Sequence, residues 1–143
     1  MNRNGAATIT LTVPAKPEYV IVCRLALDGL AEAAPVPAET IADLKLAVTE
    51  ACANSISHAF GDDEPGTIRV DMSLSDRQVR IEVADDGIGM DEPEISDFAE
   101  DDDIRESGMG LALIRALVDE LEIGAGREGV GTRVVFSKSL AAG

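Results

Sequence analysis

The sequence predicts an α+β fold, a two-layer sandwich in which helices cover one face of a mixed, mostly antiparallel sheet. Alternating apolar and polar residues, which are typical of half-buried strands, occur in three segments: 7–13, 67–74 and 78–84. Apolar residues at helical spacing occur in three others: 18–34, 38–59 and about 108–120. Short strands at 121–125 and 132–138 complete an element order that favours helices packed on one side of a sheet.

The first strand and the first helix are separated by prolines. Residues 7–13 are rich in β-branched side chains, and Pro14 and Pro17 end the strand. Pro17 also suits the first turn of the helix that follows. Four apolar residues of this helix share one stripe and are predicted to face the core: Val20, Cys23, Leu27 and Leu30.

The second helix is predicted to pack through one face onto a β-hairpin. Its packing side carries these residues: Ile41, Leu44, Val48, Ala51 and Ser55. A turn cluster at 61–66 then leads into two alternating segments joined at 75–77. Such a pair predicts an antiparallel hairpin with one covered face.

Residues 87–106 lack periodicity, and eight of the thirteen residues from Asp91 to Asp103 are acidic. This composition predicts a mobile loop or lid. Ser107 is a suitable N-cap for the third helix. The predicted inward residues of that helix are Leu111, Ile114, Leu117 and Val118.

Length and composition indicate a single globular domain spanning residues 1–143. No apolar run approaches the ~20 residues of a membrane span, and the N-terminus does not have the pattern of a secretory signal. The two cysteines, Cys23 and Cys52, lie in apolar helical contexts and are interpreted as buried free thiols in a reducing cytoplasm.

The formal net charge is −15, which disfavours direct binding to nucleic acid. If such an acidic protein binds ATP, it should need Mg²⁺ to mask the phosphate charge, and it could attract a basic protein partner. Simple solubility is an equal explanation for the charge.

Glu50, Asn54 and His58 follow one another at four-residue intervals and therefore share a stripe of the second helix. Asn54 offers a neutral oxygen ligand to Mg²⁺, and Glu50 is placed to accept a proton from an attacking hydroxyl or water. The alternative is a polar stripe on a surface helix. His58, near the end of the helix, is better interpreted as a capping or packing residue.

Asp85 ends a predicted strand and precedes Gly87 and Gly89. A carboxylate there is suited to accept a hydrogen bond from the exocyclic amine of adenine, and the glycines allow the backbone to approach the base. The alternative is an ordinary turn after a strand.

A glycine-rich segment begins the third helix. Ser107 precedes Gly108, Met109, Gly110 and Leu111, whose free N–H groups would form an anion site. A bare junction between loop and helix is the alternative. Arg105 is the candidate to meet the γ-phosphate, unless it pairs with a lid carboxylate. Thr132 would place a hydroxyl near the adenine edge, directly or through water, although it is also an ordinary strand-forming residue.

Taken in order, these motifs resemble those of the GHKL ATPases, the superfamily of gyrase-type topoisomerases, heat-shock chaperones, histidine kinases and mismatch-repair ATPases. The matching boxes are Glu50-x-x-x-Asn54, Asp85-x-Gly87-x-Gly89, Gly108-x-Gly110 and Gly131-Thr132. The resemblance implies the Bergerat ATP-binding fold, with an ATP lid at about 90–107.

Within this superfamily the chain is most similar to bacterial anti-sigma factor kinases of the RsbW type, through segments 49–59 and 104–111. The resemblance implies that Mg-ATP is bound, ADP is released, and a STAS-domain anti-anti-sigma factor is phosphorylated on serine or threonine. It also implies sequestration of a sigma factor in the cytoplasm and a homodimer, for which the sheet edge at 7–13 is available. By this match Glu50 is the base, Asn54 the Mg²⁺ ligand and Asp85 the adenine acceptor, while Gly108 to Leu111 bind phosphates with the help of Arg105.

Two other functions remain open at this stage. One is a non-catalytic regulator whose affinity for a partner is gated by ATP, and the other is a component of a different signalling switch, such as a partner of a phosphatase. A free-standing histidine kinase is disfavoured, because only 49 residues precede Glu50 and the single histidine, His58, lies in the segment 49–59.

Overall fold

The computed structural model describes residues 7–33, 36–59, 66–75, 77–86, 108–125 and 131–140. The strands in these ranges are β1 (Ala7–Pro14), β2 (Thr67–Leu74), β3 (Gln78–Asp85), β4 (Glu120–Ala125) and β5 (Thr132–Ser139). The helices are α1 (Val20–Ala33), α2 (Ala38–Ala59) and α3 (Gly108–Leu117), and a 3₁₀ turn at Pro17–Tyr19 precedes α1.

The five strands form one sheet in the order β1-β2-β3-β5-β4. All four neighbouring pairs are antiparallel, and the cross-strand pair Ile81 and Phe136 lies in the middle of the sheet. The predicted α+β sandwich is therefore confirmed, although the described sheet is wholly antiparallel where a mixed one was expected. The difference arises because β5 runs between β3 and β4 and opposes both of them.

The core lies between one face of the sheet and the three helices. The alternating residues of β2 and β3 that were predicted to be covered are at most 5% exposed: Ile68, Val70, Met72, Leu74, Val79, Ile81 and Val83. The predicted packing residues of α2, from Ile41 to Ser55, are also buried. From α1 the core receives Cys23, Leu27 and Leu30, as its apolar stripe predicts. The apolar faces predicted from the two-residue repeat of the strands and the 3.6-residue repeat of the helices thus pack against each other.

Helix α3 is one turn shorter than predicted. Lys138 Nζ donates a hydrogen bond to the carbonyl oxygen of Leu117 at 2.8 Å, and the Asp119 N–H donates to the Ser137 oxygen at 2.9 Å. The first contact gives a carbonyl at the end of the helix a hydrogen-bond donor, and the second begins the backbone pairing of β4 with β5. The chain therefore changes direction before residue 120. The local apolar pattern does not reveal this, because both partners lie on a distant strand.

The other face of the sheet carries charged residues. Glu82 is 8% exposed and lies within 3.4 Å of Arg69 and 3.3 Å of Arg133. Arg80 approaches the same carboxylate at 3.9 Å. This network compensates the buried carboxylate by pairing it with several cations. In the described ranges, no helix combines the length and apolar character needed to cross a bilayer.

Candidate functional site

Asp85 and Thr132 are brought together at one end of the sheet. Asp85 is the last residue of β3 and Thr132 the first residue of β5, and they are 6% and 3% exposed. The Thr132 N–H donates a hydrogen bond to Asp85 Oδ1 at 3.2 Å. Because β3 and β5 are paired in the sheet, this contact fixes the orientation of a buried carboxylate.

Gly131 makes this arrangement possible. Its φ is +73°, a left-handed conformation that side chains with a Cβ rarely adopt. A Cβ at this position would overlap the carbonyl group of Asp85 and lie 2.9 Å from its Oδ1. The backbone before β5 therefore packs directly on the end of β3, and only glycine fits between them.

The polar atoms at this end suit a purine base. The Thr132 hydroxyl is buried and makes no hydrogen bond to any part of the chain that the structure describes. It lies on the residue whose N–H holds the Asp85 carboxylate. The buried carboxylate can accept a hydrogen bond from an exocyclic amine. The buried hydroxyl can donate one to a ring nitrogen or to a bridging water. The residues present therefore fit an adenine.

Glu50 lies where α2 packs against the beginning of α3. It is half-buried, and a Cβ added to Gly110 would lie 3.1 Å from Glu50 Oε1. Leu111, the next residue, is fully buried and anchors the first turn of α3. The carboxylate is thus held close to a helix N-terminus, where backbone N–H groups are available to anions.

Asn54 follows Glu50 by one turn on α2 and is only 6% exposed. Its neighbour Ser55 is 2% exposed, and the Ser55 hydroxyl has no hydrogen-bond partner among the described residues. The polar stripe predicted on this helix is therefore buried at Asn54, which disfavours an ordinary solvated surface. Within the described ranges, no group of three or more His, Cys, Asp or Glu side chains is arranged for a metal ion.

The structure thus joins Asp85 with Thr132 and Glu50 with Gly110. Asn54 and Leu111 are described and buried, and the other predicted positions lie wholly or partly outside the described residues. Wholly outside are the lid at 90–107 and the residues Gly87, Gly89, Arg105 and Ser107. For Gly108 and Met109 the structure describes their place in α3, and for His58 its place in α2, but nothing of their side chains.

One feature of the site region was not assigned by the sequence. Gly131 was identified only as a part of a motif, whereas its positive φ and its close approach to Asp85 make it the spacer between two strands. A glycine directly before a β-branched strand was the available signal. The prediction that Cys23 and Cys52 are buried free thiols is confirmed.

Comparison with known proteins agrees with this geometry. The family of histidine kinase-like ATPase domains matches residues 13–138. The serine-protein kinase RsbW of Oceanobacillus iheyensis is 37% identical over 140 residues, which cover 93% of this chain and 87% of that protein. RsbW of Listeria monocytogenes is 42% identical over 80% of this chain and 78% of that protein. RsbW of Bacillus subtilis is 34% identical over 96% and 89%.

Two solved structures share the fold. The crystal structure of the RsbU and RsbW domains of a Mycobacterium tuberculosis protein superposes with a TM-score of 0.69 and 26% identity over 96% of this chain. This chain spans 33% of that longer protein. The histidine kinase domain of a blue-light-activated kinase from Erythrobacter litoralis gives a TM-score of 0.56 and 27% identity, covering 90% of this chain and 62% of that one.

Proposed function

The chain belongs to the histidine kinase-like ATPase domain family and, within it, to the RsbW serine-protein kinases, and from this premise we propose that it is an anti-sigma factor with kinase activity. It transfers the γ-phosphate of ATP to a serine or threonine of a STAS-domain anti-anti-sigma factor and releases ADP. It sequesters a sigma factor in the cytoplasm. The observation that carries the proposal is the buried carboxylate of Asp85, oriented by Thr132 at the end of the sheet.

Asp85 is the proposed acceptor for the exocyclic amine of adenine. Its Oδ1 is oriented by the Thr132 N–H, and the adjacent Thr132 hydroxyl is available to the base or to a water. Adenine is preferred to guanine at such a site, because guanine presents a carbonyl oxygen where adenine presents its amine. Gly87 and Gly89 are proposed to let the backbone approach the base from the segment after β3.

Glu50 is the proposed general base. It would accept the proton of the partner hydroxyl as that oxygen attacks the γ-phosphorus. Its place beside Gly110 puts the carboxylate next to the helix N-terminus that would receive the phosphates. A purely ATP-binding module has no need for a carboxylate at this position, so Glu50 favours the kinase.

The phosphate end of the site is proposed to combine α2, the start of α3 and the segment before it. The N–H groups of Gly108, Met109, Gly110 and Leu111, preceded by Ser107, would bind phosphate oxygens, and Arg105 would pair with the γ-phosphate. Asn54 offers an oxygen to Mg²⁺, which prefers a few protein oxygens and completes its shell with water and phosphate. When bound, Mg²⁺ would offset the repulsion between the nucleotide and a protein of net charge −15.

Protein partners are proposed to meet two further features. The acidic charge would steer a basic surface of a partner towards this chain. Strand β1 lies at one edge of the sheet and pairs only with β2 among the described strands. An open edge of this kind is suited to a second copy of the chain, so a homodimer through β1 is part of the proposal.

The test uses γ-labelled ATP, Mg²⁺ and the STAS-domain proteins encoded in the same genome. Wild-type protein should label one serine or threonine, and Glu50→Ala and Glu50→Gln should lose the label while still binding ATP. Glu39→Ala is the matched control, because Glu39 is an exposed glutamate in the first turn of the same helix and should leave labelling unchanged.

One result would contradict the proposed kinase, and another would contradict only the role of Glu50. Absence of label on every STAS-domain candidate, with ATP binding confirmed separately, would indicate an ATP-gated binding module. Full labelling by Glu50→Ala would instead remove Glu50 from the role of base while leaving the kinase itself in place.

A further inference from the structure

The exposed side of α2 is apolar where a surface helix usually carries charge. In the part of α2 whose side chains the structure describes, the exposed residues after Glu39 are Ala42, Leu46 and Ala53. Leu46 is a large apolar side chain and is 41% exposed. A helix face that meets only water is expected to carry charged or polar side chains. These three residues, called the apolar stripe below, are therefore not explained by solvent alone.

The apolar stripe runs past Glu50. Leu46 precedes Glu50 by four residues, so the two side chains lie on one face of the helix, about 6 Å apart along its axis. Ala42 lies four residues before Leu46, and Ala53 lies three after Glu50, so both continue the same row. Glu50 itself is half-buried, with its carboxylate on the side of Gly110. The proposed base is thus in line with an exposed leucine.

The polar groups beside the apolar stripe are engaged within the chain. On one side, Lys45 Nζ lies 3.1 Å from Asp28 Oδ1 of α1. On the other side, Asp43 Oδ2 lies 3.6 Å from Lys138 Nζ of β5. The Thr49 hydroxyl donates a hydrogen bond to the Lys45 carbonyl oxygen at 2.7 Å. In a chain of net charge −15, this strip therefore presents a neutral surface, which complements an uncharged apolar segment of a partner.

We propose that Leu46 helps to select the protein that is phosphorylated, by receiving an apolar side chain next to the acceptor serine or threonine. The inference rests on the proposed function. A general base takes a proton only at hydrogen-bond distance, about 2.6–3.2 Å, so a protein that brings its hydroxyl to Glu50 must also cover the surface one turn away. Leu46 lies on that surface. The matching side chain is about 6 Å from the acceptor, which is two residues away in an extended segment.

Two other occupants suit the apolar stripe less well. The segment from Asp91 to Asp103 contains eight acidic residues in thirteen, and carboxylates lose hydration when they are placed against an apolar surface. A second copy of the chain is proposed to pair through β1, at the edge of the sheet. Helix α2 packs on β3 and β5 instead, so the stripe is separate from that edge.

The experiment measures label transfer from saturating Mg-ATP to the STAS-domain acceptor over a range of acceptor concentrations. Leu46→Gln keeps the length and the helix propensity of the side chain and removes its apolar end. The KM for the acceptor should rise about 3- to 8-fold, the effect of losing the part of a leucine's transfer free energy that is still unrealised at 41% exposure. The kcat and the ATP affinity should not change. Leu46→Met should restore the KM to within about 2-fold.

The matched control is Leu25→Gln, because Leu25 is an exposed leucine on the neighbouring helix α1, away from the apolar stripe. Its KM should stay within about 2-fold of wild type. Binding is measured separately, by calorimetric titration with an acceptor protein whose phosphorylated residue is replaced by alanine. Leu46→Gln should weaken this binding by the same factor as it raises KM, which is a readout that does not depend on phosphate transfer. Chemical denaturation checks that the variant is as stable as wild type.

Each contrary outcome has a distinct meaning. An unchanged KM in Leu46→Gln, with an active wild type, would overturn the inference and leave the kinase in place. A loss of kcat or of ATP affinity instead would make Leu46 a support of the nucleotide site. An equal effect of Leu25→Gln would indicate a diffuse apolar contact, and a change of molecular mass in solution would assign the stripe to a second copy. A wild type that neither labels nor binds any STAS-domain protein would reject the proposed function, and this inference with it.

Discussion

The two ends of the proposed ATP site are held by different kinds of packing. At the adenine end, Asp85 and Thr132 lie on paired strands, and the hydrogen bond between them joins residues 47 positions apart in the chain. At the phosphate end, Glu50 and Gly110 lie on two packed helices, and the Glu50 carboxylate lies beside the space that a Cβ on Gly110 would occupy. The adenine end depends on the register of two paired strands, which can shift only by whole residues. The phosphate end depends on a contact between helices, which tolerates small shifts.

This difference predicts how each end responds to mutation. A change that moves the backbone of the strand ends should affect both stability and nucleotide binding, because the same backbone atoms support both. A change at the helix contact should alter the reaction more than the stability, because a side-chain carboxylate can move by a few tenths of an ångström without unpacking α2 or α3. Four substitutions test this comparison, from the largest expected effect to the smallest.

Gly131→Ala should have the largest effect on the fold. A Cβ there overlaps the Asp85 carbonyl in a backbone with φ of +73°, so we expect a loss of about 2–4 kcal/mol in the free energy of unfolding. ATP binding should fall with it. Chemical denaturation and calorimetric titration measure the two quantities. Gly124→Ala is the control, because nothing lies within 4 Å of a Cβ at Gly124. Equal stability of both variants would contradict the close approach of the two strands.

Asp85→Asn should weaken ATP binding by about 10- to 100-fold, since the amide presents a donor where adenine presents its amine. Asparagine retains an oxygen for the Thr132 N–H, so unfolding should change by less than about 1 kcal/mol. Asp86→Asn is the matched control. Asp86 is exposed and accepts hydrogen bonds from the N–H and the hydroxyl of Thr67, and it has no part in the proposed contact with adenine. Unchanged ATP affinity in Asp85→Asn would exclude the adenine assignment.

Gly110→Ala should slow phosphate transfer about 3- to 10-fold with little change in stability. The new Cβ would lie 3.1 Å from Glu50 Oε1 and displace the carboxylate slightly, while alanine favours the helix. The rate of label transfer under saturating ATP is the measurement. A double variant with Glu50→Ala supplies the control, because the effect of Gly110→Ala should disappear when the carboxylate is gone. An undiminished effect in the double variant would mean that Gly110 acts elsewhere.

Gly29→Ala should have the smallest effect and the opposite sign. Nothing lies within 4 Å of a Cβ at this exposed position in α1, so the substitution should stabilise the helix by about 0.5–1 kcal/mol. ATP affinity should be unchanged, because neither end of the proposed site includes this turn. Thermal unfolding with and without ATP tests both statements, and destabilisation would indicate a contact that α1 makes elsewhere.

Sequence periodicity was sufficient to predict the layers of this fold. The strict alternation of β2 and β3 identified the buried face correctly, and the stripe of α2 was confirmed from Ile41 to Ser55. Each of these patterns is local, since one face of an element must be apolar wherever it packs. The same reasoning located the beginnings of β4 and β5 to within one residue.

Features that depend on distant partners were not predictable in this way. The early end of α3 is set by Lys138 and Ser137, which lie on β5, about 20 residues further along the chain. The same holds for the close approach of Gly131 to Asp85. In each case the sequence supplied the residue type, and the tertiary contact decided its role.

The central place of β5 has a consequence for how the protein is made. Synthesis proceeds from the N-terminus, so β1, β2, β3 and β4 all leave the ribosome before the strand that joins β3 to β4. Until residues 132–139 arrive, the edge of β3 has no neighbour on that side, β4 has no sheet to join, and Asp85 lacks the N–H that orients it. A nascent chain therefore cannot acquire a complete adenine end before its last described strand is released, and during that interval the unpaired edge of β3 is open to chaperones or to misassociation.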